Sequence, residues 1–173
     1  MWDSLRLEEF RVYIDDLIQH PNVQMMNQIK QHINGVSCLD QCIFVSYVSF
    51  SICKKLKLNA KAAARAGLLH DLYLCDWSQT NIGPWKRLLI HPQIALRNAK
   101  IHGLSDLEKD IISKHMWPLT LRKFPRYRES VVVNLADKIC ACAEMLRLYS
   151  KIGAGTALAK YNLCKQMLPQ SAA

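Results

Sequence analysis

Apolar residues recur at Leu7, Phe10, Ile14, Leu17 and Ile18. This three-and-four spacing predicts an amphipathic helix from Leu5 to Ile18 on the outside of a bundle. His20-Pro21 interrupts it, because the residue before a proline is pushed away from helical geometry. A second short helix is expected from Asn22 to Gln31, leaving His32 in a loop beside Asn34-Gly35. The next stretch, LDQCIFVSYVSFSICKKL, is apolar or small on almost every side. A helix of that kind belongs in the middle of a fold, with Ser37 as its N-cap and Gln41 in its second turn.

Asn59 caps the following helix, whose AKAAARAG composition suits close approach of helix axes. Turn chemistry at Cys75 to Ser78 and Asn81 to Pro84 predicts a loop of roughly fifteen residues that reaches His91. Pro92 is then expected to start a helix, placing His91 in its N-cap region. Ser105 and Glu108 form a capping box at the head of LEKDIISKH, which Pro118 stops just beyond His115. His102 is expected in a solvated loop. Further helices are expected over 129–149 and 156–168, with Asn134, Asp137, Lys138 and Glu144 forming a thin polar stripe on the first of them. The pattern as a whole is all-α: a single-domain bundle of about seven helices occupying 1–173.

Composition narrows this picture only slightly. A chain of 173 residues is about one domain, able to bury nearly 70% of its unfolded surface. Charges within the first twenty residues break any secretory apolar core. The mostly apolar run Cys42 to Cys53 is short of the ~20 residues that span a bilayer. Both point to a cytoplasmic protein without membrane segments. Seven cysteines without CxxC spacing are expected as reduced, largely buried thiols. The net charge of +9 favours anionic partners such as nucleotides, nucleic acid or acidic surfaces and does not choose among them; a nucleic-acid partner is possible but not favoured, because bulk basicity is common in soluble proteins.

The candidate chemistry lies in Gly67-Leu68-Leu69-His70-Asp71-Leu72. Imidazole nitrogen and carboxylate oxygen both ligate transition metals, and adjacent side chains at a helix end can converge on one ion. His91, His115 and Asp137 follow at intervals of a little over twenty residues. The segments AAARAGLLHDLYLCDW, HPQIALRNA, EKDIISKHMWP and NLADKICACAEM carry these residues. With them the chain resembles, over about 32–149, the HD-domain superfamily of metal-dependent phosphohydrolases, whose ligands come from separate helices around one cavity. Gln41 stands where family members usually carry their first ligand histidine.

The resemblance implies a central metal cavity holding one or two divalent transition metal ions, with Mn, Fe, Zn, Ni and Co all compatible. His70 would bind one ion, Asp71 would bridge, Asp137 would close the first site, and His91 with His115 would hold the second. His70, Asp71 and Lys138 are the expected catalytic residues. Arg122, Arg126 and Arg128, in the basic segment before the last ligand helix, would take substrate phosphate. The implied reaction is hydrolysis of a phosphate ester, a nucleotide or related small molecule. Two alternatives are a catalytically impaired module that binds a phosphate ligand or a protein, which Gln41 would mark, and a diiron oxygenase-type member.

Overall fold

The computed structural model describes residues 4–29, 37–75, 77 and 80–145. Among these the protein is an all-helical bundle of seven α-helices: α1 (Ser4–Ile18), α2 (Pro21–Gln24), α3 (Cys38–Lys55), α4 (Ala60–Leu69), α5 (Pro84–Ala99), α6 (Asp106–Lys114) and α7 (Arg128–Met145). A 3-10 turn, Met25–Gln28, continues α2, and another, Lys100–His102, follows α5. None of the described helices is long and apolar enough to cross a membrane. The expected helix over 156–168, the end of the one over 129–149, and His32 all lie outside the described residues.

The amphipathic stripe of α1 is buried as its spacing requires, at Leu7, Phe10, Ile14, Leu17 and Ile18. Phe10 meets Tyr47 edge-on at 5.2 Å and Phe50 at 5.5 Å. That contact assigns the Tyr47–Phe50 flank of α3 to α1. α3 is buried on nearly all sides, from Cys38 to Cys53. It begins with a capping box in which the Ser37 Oγ accepts from Asp40 N–H and the Asp40 carboxylate accepts from Ser37 N–H. Asn59 caps α4 by accepting from Ala62 N–H at 3.0 Å. Ser105 and Glu108 cap α6 reciprocally.

α4 is the hub, packing against α1, α3, α5, α6 and α7. Its small residues let α3 come close. A Cβ built on Gly67 would stand 2.9 Å from the Ser46 Cα, nearer than backbone atoms tolerate. Beside it Ser46 Oγ donates to the Ala64 carbonyl at 2.6 Å. On the other flank Arg65 joins three helices: its guanidinium donates to Asp16 at 2.8 Å and to the Tyr13 carbonyl at 3.2 Å, both on α1, and to Glu108 of α6 at 3.2 Å. The end of α4, where His70 and Asp71 emerge, is thereby held from several sides.

Three local expectations are corrected. The helix expected over Asn22 to Gln31 is a single α turn and a 3-10 turn that ends by Gln28. Pro21 takes the first helical position there, and the His20 imidazole accepts from Asn22 N–H at 3.3 Å as its cap. α5 begins at Pro84, directly after Gly83, and not at Pro92. His91 is therefore in mid-helix rather than at an N-cap. Pro92 removes only the one backbone bond its own N–H would have made, which a sixteen-residue helix survives. His102 is half-buried: its Nε2 lies 3.2 Å from Asn22 Oδ1, and its ring meets that of His20 edge-on at 4.7 Å.

Candidate metal centre

Four helices deliver the five residues that sequence spacing singled out. His70 is the C-cap of α4, Asp71 follows it in the turn, His91 lies within α5, His115 is the C-cap of α6, and Asp137 lies within α7. Each histidine turns its Nδ1 back onto its own helix. His70 Nδ1–H donates to Gly67 O at 2.8 Å, His91 Nδ1–H to Arg87 O at 3.0 Å, and His115 Nδ1–H to Ile112 O at 2.8 Å. A backbone carbonyl on one ring nitrogen places the proton there and leaves the other nitrogen as a lone-pair donor. The Nε2 atoms of His91 and His115 meet at a common centre with Asp71, and His70 Nε2 lies to one side, between Asp71 and Asp137.

Around that centre His91 Nε2 and His115 Nε2 are 2.8 Å apart. Asp71 Oδ1 lies 3.3 Å from His91 Nε2 and 3.6 Å from His115 Nε2. Asp71, His91 and His115 thus offer three ligand atoms within 4.8 Å of one another. Two imidazole nitrogens bound at ~2.0–2.1 Å to one zinc ion stand roughly 3.0–3.4 Å apart, so this spacing suits an ion with little rearrangement. The arrangement also calls for a cation. With both Nδ1 atoms committed as donors, the facing Nε2 lone pairs repel unless a proton or a metal ion sits between them. His70 Nε2 adds a flank, 3.7 Å from Asp71 Oδ2 and 3.4 Å from Asp137 Oδ1.

Burial shapes the electrostatics. It pulls the His115 imidazole down to about 3, assisted by the positive potential of His70 and His91, so His115 is a neutral ligand throughout the physiological range. Burial would also lower His70, but the Asp71 and Asp137 carboxylates outweigh it and raise that imidazole to about 10. His91 is raised against the same burial by its contact with Asp71. Burial works to raise both carboxylates, yet the surrounding imidazoles hold Asp71 and Asp137 below the ordinary carboxylate range. His115 therefore offers a neutral nitrogen beside the anionic oxygens of Asp71 and Asp137, whereas His70 and His91 would each release a proton on ligating an ion.

Gln41 is 2% exposed, and its Oε1 has no hydrogen-bond partner among the described residues. On α3 the Cys38, Cys42 and Ser46 line faces α4, since Cys38 Sγ reaches Asp71 O, Cys42 Sγ lies 3.8 Å from His70 Nδ1, and Ser46 bonds Ala64. Tyr47 and Phe50 face α1. The flank that remains carries Gln41 and Val45, and both α7 and the 3-10 turn Met25–Gln28 also pack on α3.

Of the remaining candidates, Lys138 is half-buried and donates to His115 O at 3.0 Å, so its ammonium is engaged by the backbone. Burial lowers its pKa. Arg122, Arg126 and Arg128 are exposed on the approach to α7. Their described contacts do not reach the histidines: the Arg126 guanidinium lies over the Tyr127 ring, and its backbone N–H donates to Asp110. Of the polar residues of α7, Asn134 turns inward. Asn134 is 6% exposed and bonds the carbonyls of His115 and Trp117, a role sequence reasoning did not assign although Asn134 stands one turn before Asp137. The six described cysteines are free, and Cys38, Cys42, Cys53 and Cys140 are buried. Comparison with family models, with curated proteins and with solved structures finds no match to this chain.

Proposed function

We propose that the chain is a cytoplasmic metal-dependent phosphohydrolase of the HD-domain type, acting on a nucleotide or another small phosphate ester. The observation that carries this reading is the convergence of Asp71, His91 and His115 on one centre, with each imidazole oriented by a carbonyl of its own helix. These three residues would hold a divalent ion. Such an ion supplies Lewis acidity, which makes water a nucleophile near neutral pH and offsets charge developing on a phosphoryl group. His70 and Asp137 border the same centre and would position a water or a substrate oxygen by hydrogen bonding. The exposed Arg122, Arg126 and Arg128 would receive the anionic end of the substrate.

A second reading has its own observation. Gln41, buried where the resemblance expects a ligand histidine, and the grouping of Asp71, His91 and His115 alone favour a single ion over a pair, and with it a module of reduced activity that binds a phosphate ligand. One experiment addresses both. Metal content of the purified protein is measured, followed by a screen of nucleoside monophosphates, cyclic nucleotides and simple phosphate esters with added Mn2+, Co2+ or Ni2+. Ester hydrolysis that requires the added ion supports the enzyme. Ligand binding with tight metal and no turnover supports the module, and absence of any metal binding overturns both.

A further inference from the structure

The side chains on α7 that reach toward the centre include two that touch no candidate ligand atom. Asn134 Nδ2 donates to His115 O and to Trp117 O, both at 2.6 Å. Lys138 Nζ donates to His115 O at 3.0 Å and reaches the Asn134 carbonyl at 3.5 Å. The His115 carbonyl is among the last of α6, where no following helical turn exists to supply an N–H. α7 supplies the donors instead. Asn134 and Lys138 stand one turn apart on the inward face of α7, with Asp137 between them in sequence.

We infer that Asn134 and Lys138 are positioning residues, forming a clamp that sets His115 of α6 against Asp137 of α7 and so fixes the shape of the metal centre. The inference rests on the metal reading of the site. The His115 ring is held from its own helix through Ile112 O, while its backbone is held from α7, so neither its translation nor its rotation is left to side-chain packing alone. Both clamp residues reach the same carbonyl, so loss of either leaves a buried acceptor with fewer donors and lets the end of α6 shift. Ligand geometry tolerates little of that, and loss of groups that orient metal ligands commonly reduces affinity about 10- to 100-fold.

The test uses Co2+ as the probe and the whole chain in three variants, Asn134→Ala, Lys138→Met and Lys138→Arg. Lys138→Met keeps the aliphatic stem and the fold while removing the donor. Asn134→Ala and Lys138→Met are expected to weaken Co2+ binding about 10- to 100-fold and to alter the visible spectrum of the bound ion. Lys138→Arg, which can still donate to the carbonyl, is expected to recover most of the loss. In the metal-free protein, imidazole nitrogen resonances should show His115 as the Nδ1–H tautomer in the wild type and as a tautomer mixture in Asn134→Ala. Wild-type Co2+ affinity within twofold in both donor-loss variants, together with unchanged His115 ring signals, overturns the clamp while leaving the metal reading intact. If the wild type binds no Co2+ and Asn134→Ala still shifts the His115 signals, the metal reading fails and the positioning role stands.

Discussion

His91 and His115 face each other through their Nε2 atoms at 2.8 Å although they belong to different helices and lie 24 residues apart. Their Nδ1 protons are committed to carbonyls of their own helices, so neither ring can turn to relieve the contact without breaking a buried hydrogen bond. Together with the Asp71 carboxylate beside them, the two imidazoles could hold a shared metal ion.

His91→Ala, His115→Ala and Asp71→Ala should each weaken binding of Mn2+ or Co2+ by more than about 100-fold, beyond the 10- to 100-fold typical of outer partners. Isothermal titration measures this directly. Undiminished metal content in Asp71→Ala would remove the carboxylate from the ligand set.

Gln41→His should restore the basic nitrogen that the HD-domain resemblance expects at this position, where the wild type has a neutral amide. Metal stoichiometry by elemental analysis is expected to rise toward two ions per chain, with any ester hydrolysis rising in step. A stoichiometry that stays at the wild-type value sets Gln41 apart from the first site. His32→Ala, made in parallel, should leave metal affinity unchanged. A loss of affinity in that variant alone would identify His32, not Gln41, as the position that matters.

Arg122→Ala, Arg126→Ala and Arg128→Ala should retain metal, and at least one should raise KM several-fold. The effect should be largest at low salt, because exposed charge attraction is screened over about 8–10 Å at physiological ionic strength. Identical KM in all three variants would return the segment to a solvated basic loop.

Gly67→Ala should destabilise the fold by about 1–3 kcal/mol, the usual range for overpacking. The added methyl would meet backbone at Ser46, which cannot swing away as a flexible side chain can. Denaturant melts measure it, and a midpoint equal to wild type would show that α3 and α4 separate more readily than their contact suggests.

Asp110 governs part of the acid limb of stability. Burial would raise its pKa, but the Lys114 ammonium, the Ser130 hydroxyl at 2.7 Å and the Arg126 N–H at 3.0 Å outweigh it and lower the carboxyl below its ordinary value. A carboxylate depressed in the folded state contributes stability that is fully present above its unfolded pKa of about 3.9 and is lost as pH falls through the folded value. Asp110→Asn should cost about 1.5–3 kcal/mol at pH 7, the scale of hydrogen bonds to a charged group. The deficit should shrink below about pH 4. Urea unfolding from pH 7 to pH 3 checks both parts, and a deficit independent of pH would assign the loss to packing.

Much of the helical framework is readable along the chain because it depends on neighbours within one or two turns. The buried stripe of α1, the capping boxes at Ser37 and Ser105, the Asn59 cap and the all-round burial of α3 follow from spacing and side-chain type. The start of α5 is not legible locally because Pro84 and Pro92 both suit a first helical turn, and local preference cannot rank them. Packing ranks them: with Pro84 at the start, His91 falls in mid-helix where its ring reaches Arg87 O and its Nε2 reaches His115.

The sequence by itself determined the kinds of donors and the helices that carry them: His70 and Asp71 at the end of a small-residue helix, His115 just before a helix stop, and Asp137 amid an apolar run. Only the tertiary structure decided that Asp71, His91 and His115 share one centre and that Lys138 and Asn134 hold a backbone carbonyl. The reason is physical. A helix forms from contacts three and four residues apart, whereas the 2.8 Å meeting of His91 and His115 depends on how closely whole helices approach. That approach is set by contacts such as Gly67 against Ser46, which join residues far apart in the chain.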